Sequence, residues 1–196
     1  MTAASGSTRQ PRGLLHVYVA QRYLLLTGIL VGVVGVAGHW LAWPLITSTV
    51  GPTAYVFAAH PESETSRFRH AVIGHTVAVA AGLGALAAFG LLHHTSVSTT
   101  AAPTWAQAAA VAAAAGVTVA VLEMAGSHHA PAAATALLIA TGLAKPGAPL
   151  IGLVVGLAVV ITAGPIVGRA PFGRTASTAD QTGGRNASRS IATMRS

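Results

Sequence analysis

Of 196 residues, 53% are hydrophobic and 8% are charged, against roughly 25% charged residues in a soluble domain. A water-soluble fold of this size would lack the polar side chains to cover its surface. Cysteine is absent, which excludes a disulfide framework, a thiolate metal site and a cysteine nucleophile. The net charge of +7 comes from Lys and Arg that avoid the apolar stretches and gather toward the ends. That is a topology signal, and no basic groove with interleaved aromatics points to nucleic acid.

Residues 1–22 are polar, carry Arg9, Arg12 and Arg22, and are expected to form a loosely ordered cytoplasmic tail. Four apolar runs follow: Leu24 to Trp43, Ala71 to Leu92, Trp105 to Leu122 and Gly147 to Gly168. Each holds 18 to 22 residues without a charge, and a spanning helix needs about 20. The first run is too long for a secretory h-region and lacks a convincing cleavage site after it, so it reads as retained. Residues 169–196 form a second basic tail with Arg169, Arg174, Arg185, Arg189 and Arg195. The transmembrane domain is thus expected over residues 23–168, in halves of about 23–93 and 104–168.

The connectors at 44–70 and 123–146, of 27 and 24 residues, are too apolar for simple loops. Each has a small polar opening, a proline (Pro52, Pro131) at a plausible first helical position, an apolar stretch, and an Ala-His-Pro or Ala-Lys-Pro ending. Proline is welcome in a first turn and forces a stop later, so each connector reads as a short helix with a defined start. The expected fold is an all-α integral membrane protein with four long transmembrane helices, two short broken or re-entrant helices, and an internal two-fold, inverted repeat.

Two topologies fit. If the short segments dip in and return, the connector with Arg67 and Arg69 lies outside. If they complete a crossing, that connector becomes cytoplasmic and the 93–104 loop, free of Lys and Arg, goes outside. The positive-inside rule favours the second arrangement, which also inverts the halves. Thr53 to His60 makes only about 12 Å of helix, so an extended lead-in from Ile46 would cover the rest. Both arrangements put the two termini in the cytoplasm of a multi-pass cell-membrane protein.

A helix start presents unpaired N–H groups and the positive end of a dipole. Two short helices starting near the bilayer midplane would therefore form a paired site for a small oxyanion. Thr47, Ser48, Thr49 and Thr53 supply extra donors in the first half, and Ser127, His128 and His129 in the second. Helix capping is the commoner role of such hydroxyls and is compatible with anion binding. With Gly51 and Thr135 of the same segments, the expected substrate-binding set is Ser48, Thr49, Gly51, Thr53, Ser127, His128, His129 and Thr135. Glu123, an intramembrane acid, and His75, inside the second run, are expected to serve proton coupling or to line the cavity.

The segment Ser127-His128-His129-Ala130-Pro131-Ala132-Ala133-Ala134-Thr135-Ala136 resembles the signature of the integral membrane HPP family, His-Pro-Pro followed by small residues. Gly51, Ala54, Phe57, Ala58, Pro61 and Glu62, then Arg69, Val72, Ile73, Gly74 and His75, resemble that family's other block, a small-residue helix leading to Arg-x-x-x-x-Gly-His. The chain departs at Ala130, in place of the first proline, and at His70, where the family more often has Asn. The resemblance covers about residues 24–168 and implies a nitrite-transporter-like membrane protein. The residues alone give a small inorganic anion.

Other chemistries find less support. Nine histidines are scattered without a metal-ligand spacing, and the adjacent pairs His93-His94 and His128-His129 diverge on a helix, so no metal or other cofactor is expected. The four carboxylates, Glu62, Glu64, Glu123 and Asp180, suggest no acid and base pair, and no phosphate loop, dinucleotide fingerprint or nucleophile elbow is present. No catalytic residue is assigned and no enzyme is expected. The expected partners are the bilayer and the anion, with a homo-oligomer compatible with so few long helices. An anion channel, a membrane scaffold or an intramembrane enzyme remain the alternatives. Trp40, Trp43 and Trp105 read as interface anchors. Gly28, Gly32, Gly35, Gly82 and Gly84 read as sites of close helix packing.

Overall fold

The computed structural model describes residues 12–99 and 102–170. Six α-helices follow in chain order: α1 Arg12–Leu41, α2 Val50–Ala59, α3 Phe68–Ala88, α4 Trp105–Met124, α5 Pro131–Ala140 and α6 Ala148–Gly168. Short 3-10 turns lie at Glu64–Ser66 and Val97–Thr99, and the described residues contain no strand. Four helices are long and apolar enough to cross a membrane: His16–Leu41 within α1, Phe68–Ala88, Trp105–Met124 and Ala148–Gly168. The four long runs of the sequence are these helices, and the two shorter apolar helices fall in the two connectors.

Local chemistry explains the helix ends. Thr104 and Gln107 form a reciprocal capping box at the start of α4, each side chain bonded to the other's backbone. Helices α3 and α4 both end in left-handed glycines, Gly90 (φ 69°) and Gly126 (φ 59°). There Leu91 N–H returns to the Leu86 carbonyl and Ser127 N–H to the Leu122 carbonyl, the doubled-back ending that spares a side chain the steric cost of positive φ. The Gly126 turn feeds Ser127 and His129 into the protein interior.

Two boundaries differ from the sequence reading. Helix α1 begins at Arg12, so residues 12–22 are helical instead of loosely ordered, and the candidate span starts at His16. The polar positions are accommodated because Arg22 donates to the Gly168 carbonyl at the C-terminal end of α6 (2.9 Å), where a cation is electrostatically favoured. Helix α2 begins at Val50, which makes Pro52 its third residue and not its first. The missing N–H costs nothing there, since the first four N–H groups of a helix have no intrahelical partner. Pro131 does sit in the first turn of α5. The remaining tail residues, 1–11 and 171–196, lie outside the described residues.

The helices form two groups of three, α1 with α2 and α6, and α3 with α4 and α5, joined along α3 and α6. Exchanging α1 with α4, α2 with α5 and α3 with α6 reproduces the same set of principal neighbours. Glycines set the closest approaches. A Cβ on Gly152 or Gly156 of α6 would run into the backbone of Pro44 or Leu45, and one on Gly164 would run into the Phe57 ring. On α3, a Cβ on Gly74 would crowd His129 and Ala132, and one on Gly82 would crowd Ile139. Gly28, Gly32 and Gly84, by contrast, face open space.

These contacts also give the helix directions. The connector leaving α1 meets Gly38 at Trp43 and Leu45, then returns along α1 until the Tyr23 hydroxyl reaches the Ala59 carbonyl. It runs parallel to α6, from Gly152 beside Pro44 to Gly168 beside Phe57 and Pro61. The second connector runs parallel to α3, from Ser127 at the His70 carbonyl to Thr141, whose carbonyl accepts from Val97 beyond the end of α3. Each connector therefore travels the length of a long helix, by an extended lead-in plus a short helix in the first case. Successive helices alternate in direction from α1 to α6.

Candidate functional site

Among the nine histidines of the sequence, three are buried: His70 and His75 on α3 and His129 just before α5. Histidines 16, 39, 60, 93, 94 and 128 are exposed. The buried residues of α3 include His70, Ala71, Gly74, His75, Ala78, Gly82 and Ala85, one helical stripe facing the neighbouring helices. Gly74, lacking a side chain, lets His129 approach the helix beside His75.

The two rings meet edge to face with centroids 4.9 Å apart, and their Nε2 atoms are 3.2 Å apart. His129 Nδ1 lies 2.8 Å from the Thr65 carbonyl. His75 Nδ1 lies 2.9 Å from Thr135 Oγ1, and His75 Nε2 is also 3.3 Å from Thr53 Oγ1. Thr53 Oγ1 in turn donates to the Thr49 carbonyl (2.8 Å).

Donor and acceptor capacity fixes one neutral proton pattern. A carbonyl only accepts, so His129 donates to Thr65 from Nδ1 and its Nε2 is an acceptor. His75 must then donate from Nε2, shared between His129 and the Thr53 oxygen, and its Nδ1 accepts from the Thr135 hydroxyl. Every member is satisfied, as a buried polar chain requires if it is not to destabilise the fold. The chain joins α2, α3 and α5, drawing one side chain each from the two short helices and the second connector's lead-in.

Thr53 lies in the first turn of α2 and His129 two residues before α5, and both touch His75. The short helices run in opposite directions, so their starts overlap at the level of this one imidazole. His75 is the eighth residue of the 21-residue α3, which places the overlap inside the span rather than at its end.

Two cavities reach the pair from different sides. One, of about 300 Å³, is lined by Thr65, Glu123, Ser127, His128, His129 and Ala130, among others. The other, of about 480 Å³, is a largely apolar groove between α3 and α6 that includes His75, Thr76 and Thr162. The groove is the larger, but the chemistry lies in the smaller cavity, where hydroxyl and imidazole groups converge on the start of α5. Ser127 Oγ makes only a long bond, 3.4 Å, to the His70 carbonyl, which leaves it a ready donor to a ligand. His70 itself is 3% exposed, and neither ring nitrogen has a hydrogen-bond partner among the described residues. An unpaired buried polar group of this kind costs on the order of 1–3 kcal/mol.

Of the remaining expected site residues, Thr49 is buried and its hydroxyl is 3.1 Å from that of Thr47. Ser48 is exposed and outside the hydrogen-bonded cluster, and Gly51 is half-buried beside open space. Glu123 and His128 are mostly exposed on the rim of the smaller cavity, 3.5 Å from each other. Thr65 is a site residue that the sequence does not single out, because it enters through its backbone, which no side-chain pattern reports. His70 shares the buried stripe of His75 and meets Ser127 through its carbonyl. Among the described residues no group of three His, Cys, Asp or Glu is placed to hold a metal ion.

Four long apolar helices with polar side chains turned inward define a multi-pass α-helical membrane protein. The family model described as HPP, transmembrane region, matches residues 15–175, and the chain belongs to that family. No curated protein and no solved structure matches it.

Proposed function

We propose that the protein is a transporter of a small inorganic anion, with nitrite the substrate that its family resemblance favours. The observation that carries this reading is the overlap of two oppositely directed short-helix starts at one buried imidazole pair inside the span. Broken helices whose starts meet within a membrane domain, in halves of opposite direction, are how several transporter folds hold charged substrates. The exchange of neighbours between the two groups of helices supports an inverted repeat of α1–α3 and α4–α6.

In this reading both connectors complete a crossing, giving six passes with both termini on the cytoplasmic side of the cell membrane. The anion enters the cavity at the start of α5, where Ser127 donates, the His129 ring forms part of the wall and the helix end adds its positive field. Movement of one three-helix group against the other along the α3–α6 seam then exposes the site to the opposite side.

The test is labelled-nitrite uptake into liposomes containing the purified protein at neutral pH, with nitrate, formate and bicarbonate as competitors. Saturable uptake above empty liposomes, lowered at least about tenfold by His129→Ala, is the expected result; that is about 1.4 kcal/mol, within the about 1–3 kcal/mol that a buried partner left unpaired costs, here His75 Nε2–H or the Thr65 carbonyl. If no small anion moves while the protein is folded, the transport reading fails.

A further inference from the structure

We propose that His75 and His129 form a proton relay linking the cavity below α5 to the groove between α3 and α6. The relay deepens the anion-transport reading by assigning that site a proton path, but its geometry stands apart from any substrate. His129 lines one cavity and His75 lines the other, and the Nε2 atoms facing each other at 3.2 Å make a single hydrogen bond the only bridge needed between them. A ring with two nitrogens can take a proton on one side and release one on the other, which a hydroxyl or amide in the same place does not do at comparable driving force.

The step balances as follows. A hydronium ion in the α3–α6 groove gives a proton to His75 Nδ1, and the Thr135 hydroxyl turns from donor to acceptor. The N–H bond at His75 Nε2 breaks as one forms at His129 Nε2. The proton on His129 Nδ1 leaves its hydrogen bond with the Thr65 carbonyl for water in the cavity. One proton enters and one leaves, with no change of oxidation state. Both rings finish in the opposite tautomer, so the next passage requires them to turn over or the proton to return.

The titratable surroundings suit this traffic. Glu123 and His128 stand on the rim of the receiving cavity. His70 shares the buried face of α3 with His75, one turn before Gly74. Near Thr65, Glu64 and Arg67 pair with each other at 3.5 Å. Helix α2 contributes only Tyr55, which is exposed, and α5 and α6 carry no titratable side chain. Among the described residues, α2, α5 and α6 therefore bring no carboxylate, lysine or arginine against the pair to trap a proton on it.

The experiment uses the full chain in liposomes with a lumenal pH dye, reading nitrite and proton movement together under an imposed potassium potential. Proton flux above empty liposomes is expected, with about a hundredfold loss in His75→Gln and His129→Gln, the lower end of what a positioned acid-base group contributes. Glutamine keeps hydrogen-bonding capacity but cannot pass a proton. Thr135→Val, which keeps the shape of the helix and removes the hydroxyl partner of His75 Nδ1, is expected to slow proton flux several-fold and provides a second test if either glutamine variant fails to fold. Nitrite movement without proton flux overturns the relay and leaves transport standing. Proton flux without nitrite movement supports the relay and removes nitrite. If neither moves, both readings fall.

Discussion

The two short helices sit in similar frames and are packed in opposite ways. Helix α2 lies against α6, where Gly156 and Gly164, eight residues apart, admit the Leu45 backbone and the Phe57 ring. Helix α5 lies against α3, where Gly74 and Gly82, also eight residues apart, admit His129 and Ile139. The glycine spacing is the same, and one glycine of each pair admits hydrocarbon, Phe57 or Ile139, but on α6 the other meets the backbone of Leu45 and on α3 an imidazole-bearing residue, His129. The comparison separates scaffold from chemistry: α2 holds the architecture and lends one hydroxyl, Thr53, while α5 and its lead-in carry the reactive groups.

The largest effect should come from removing the apolar wedge. Phe57 is 1% exposed, and Phe57→Ala leaves a cavity against Gly164 and Gly168 worth about 3–5 kcal/mol. The measurement is thermal unfolding in detergent, with the loss of folded protein expected to account for any loss of signal in the liposome uptake assay. Were Phe57→Ala to stay folded yet lose transport, the first half would not be mere scaffold.

Gly156→Ala comes next. Its new Cβ would overlap the Leu45 carbonyl oxygen, and backbone cannot turn aside as a side chain can, so about 3 kcal/mol is expected, the upper end for overpacking. Gly74→Ala meets the His129 and Ala132 side chains at 3.0 and 3.2 Å, contacts that yield by a small shift, and should cost about 1 kcal/mol. That shift moves the His129 ring off His75, so transport should fall by more than stability does. Equal losses of stability in the two glycine variants would erase the distinction between the α2–α6 and the α3–α5 contacts.

The four spans are legible in the sequence because apolar runs without charge have few other solutions. The start of α1 is not, since whether Arg22 can sit in the helix depends on the end of α6, 146 positions away in the sequence. Thr53, His75, His129 and Thr135 can each be chosen from the sequence, on polarity within apolar surroundings or on family resemblance. Their pairing cannot, because it depends on the register of α2 and α5 against α3, and that register is set by the absent side chain of Gly74. His70 is hidden by its place in a connector that looks polar, although its spacing from Gly74 and Ala78 puts it on the buried face.

The smallest expected effect concerns glycines whose sequence pattern groups them with the packing ones. Gly28 and Gly32 are exposed on α1, and a Cβ added to either would meet nothing within 4 Å, so within one chain they hold no neighbour close. Gly32→Ala should then raise stability by up to about 1 kcal/mol through helix propensity alone, measured by the same unfolding curve at low protein concentration. The spacing of the two is nevertheless that of small-residue helix pairing in membranes. A loss of stability at high protein concentration that vanishes on dilution would mean that this face of α1 meets a second copy of the chain, and that the scaffold extends across a subunit boundary.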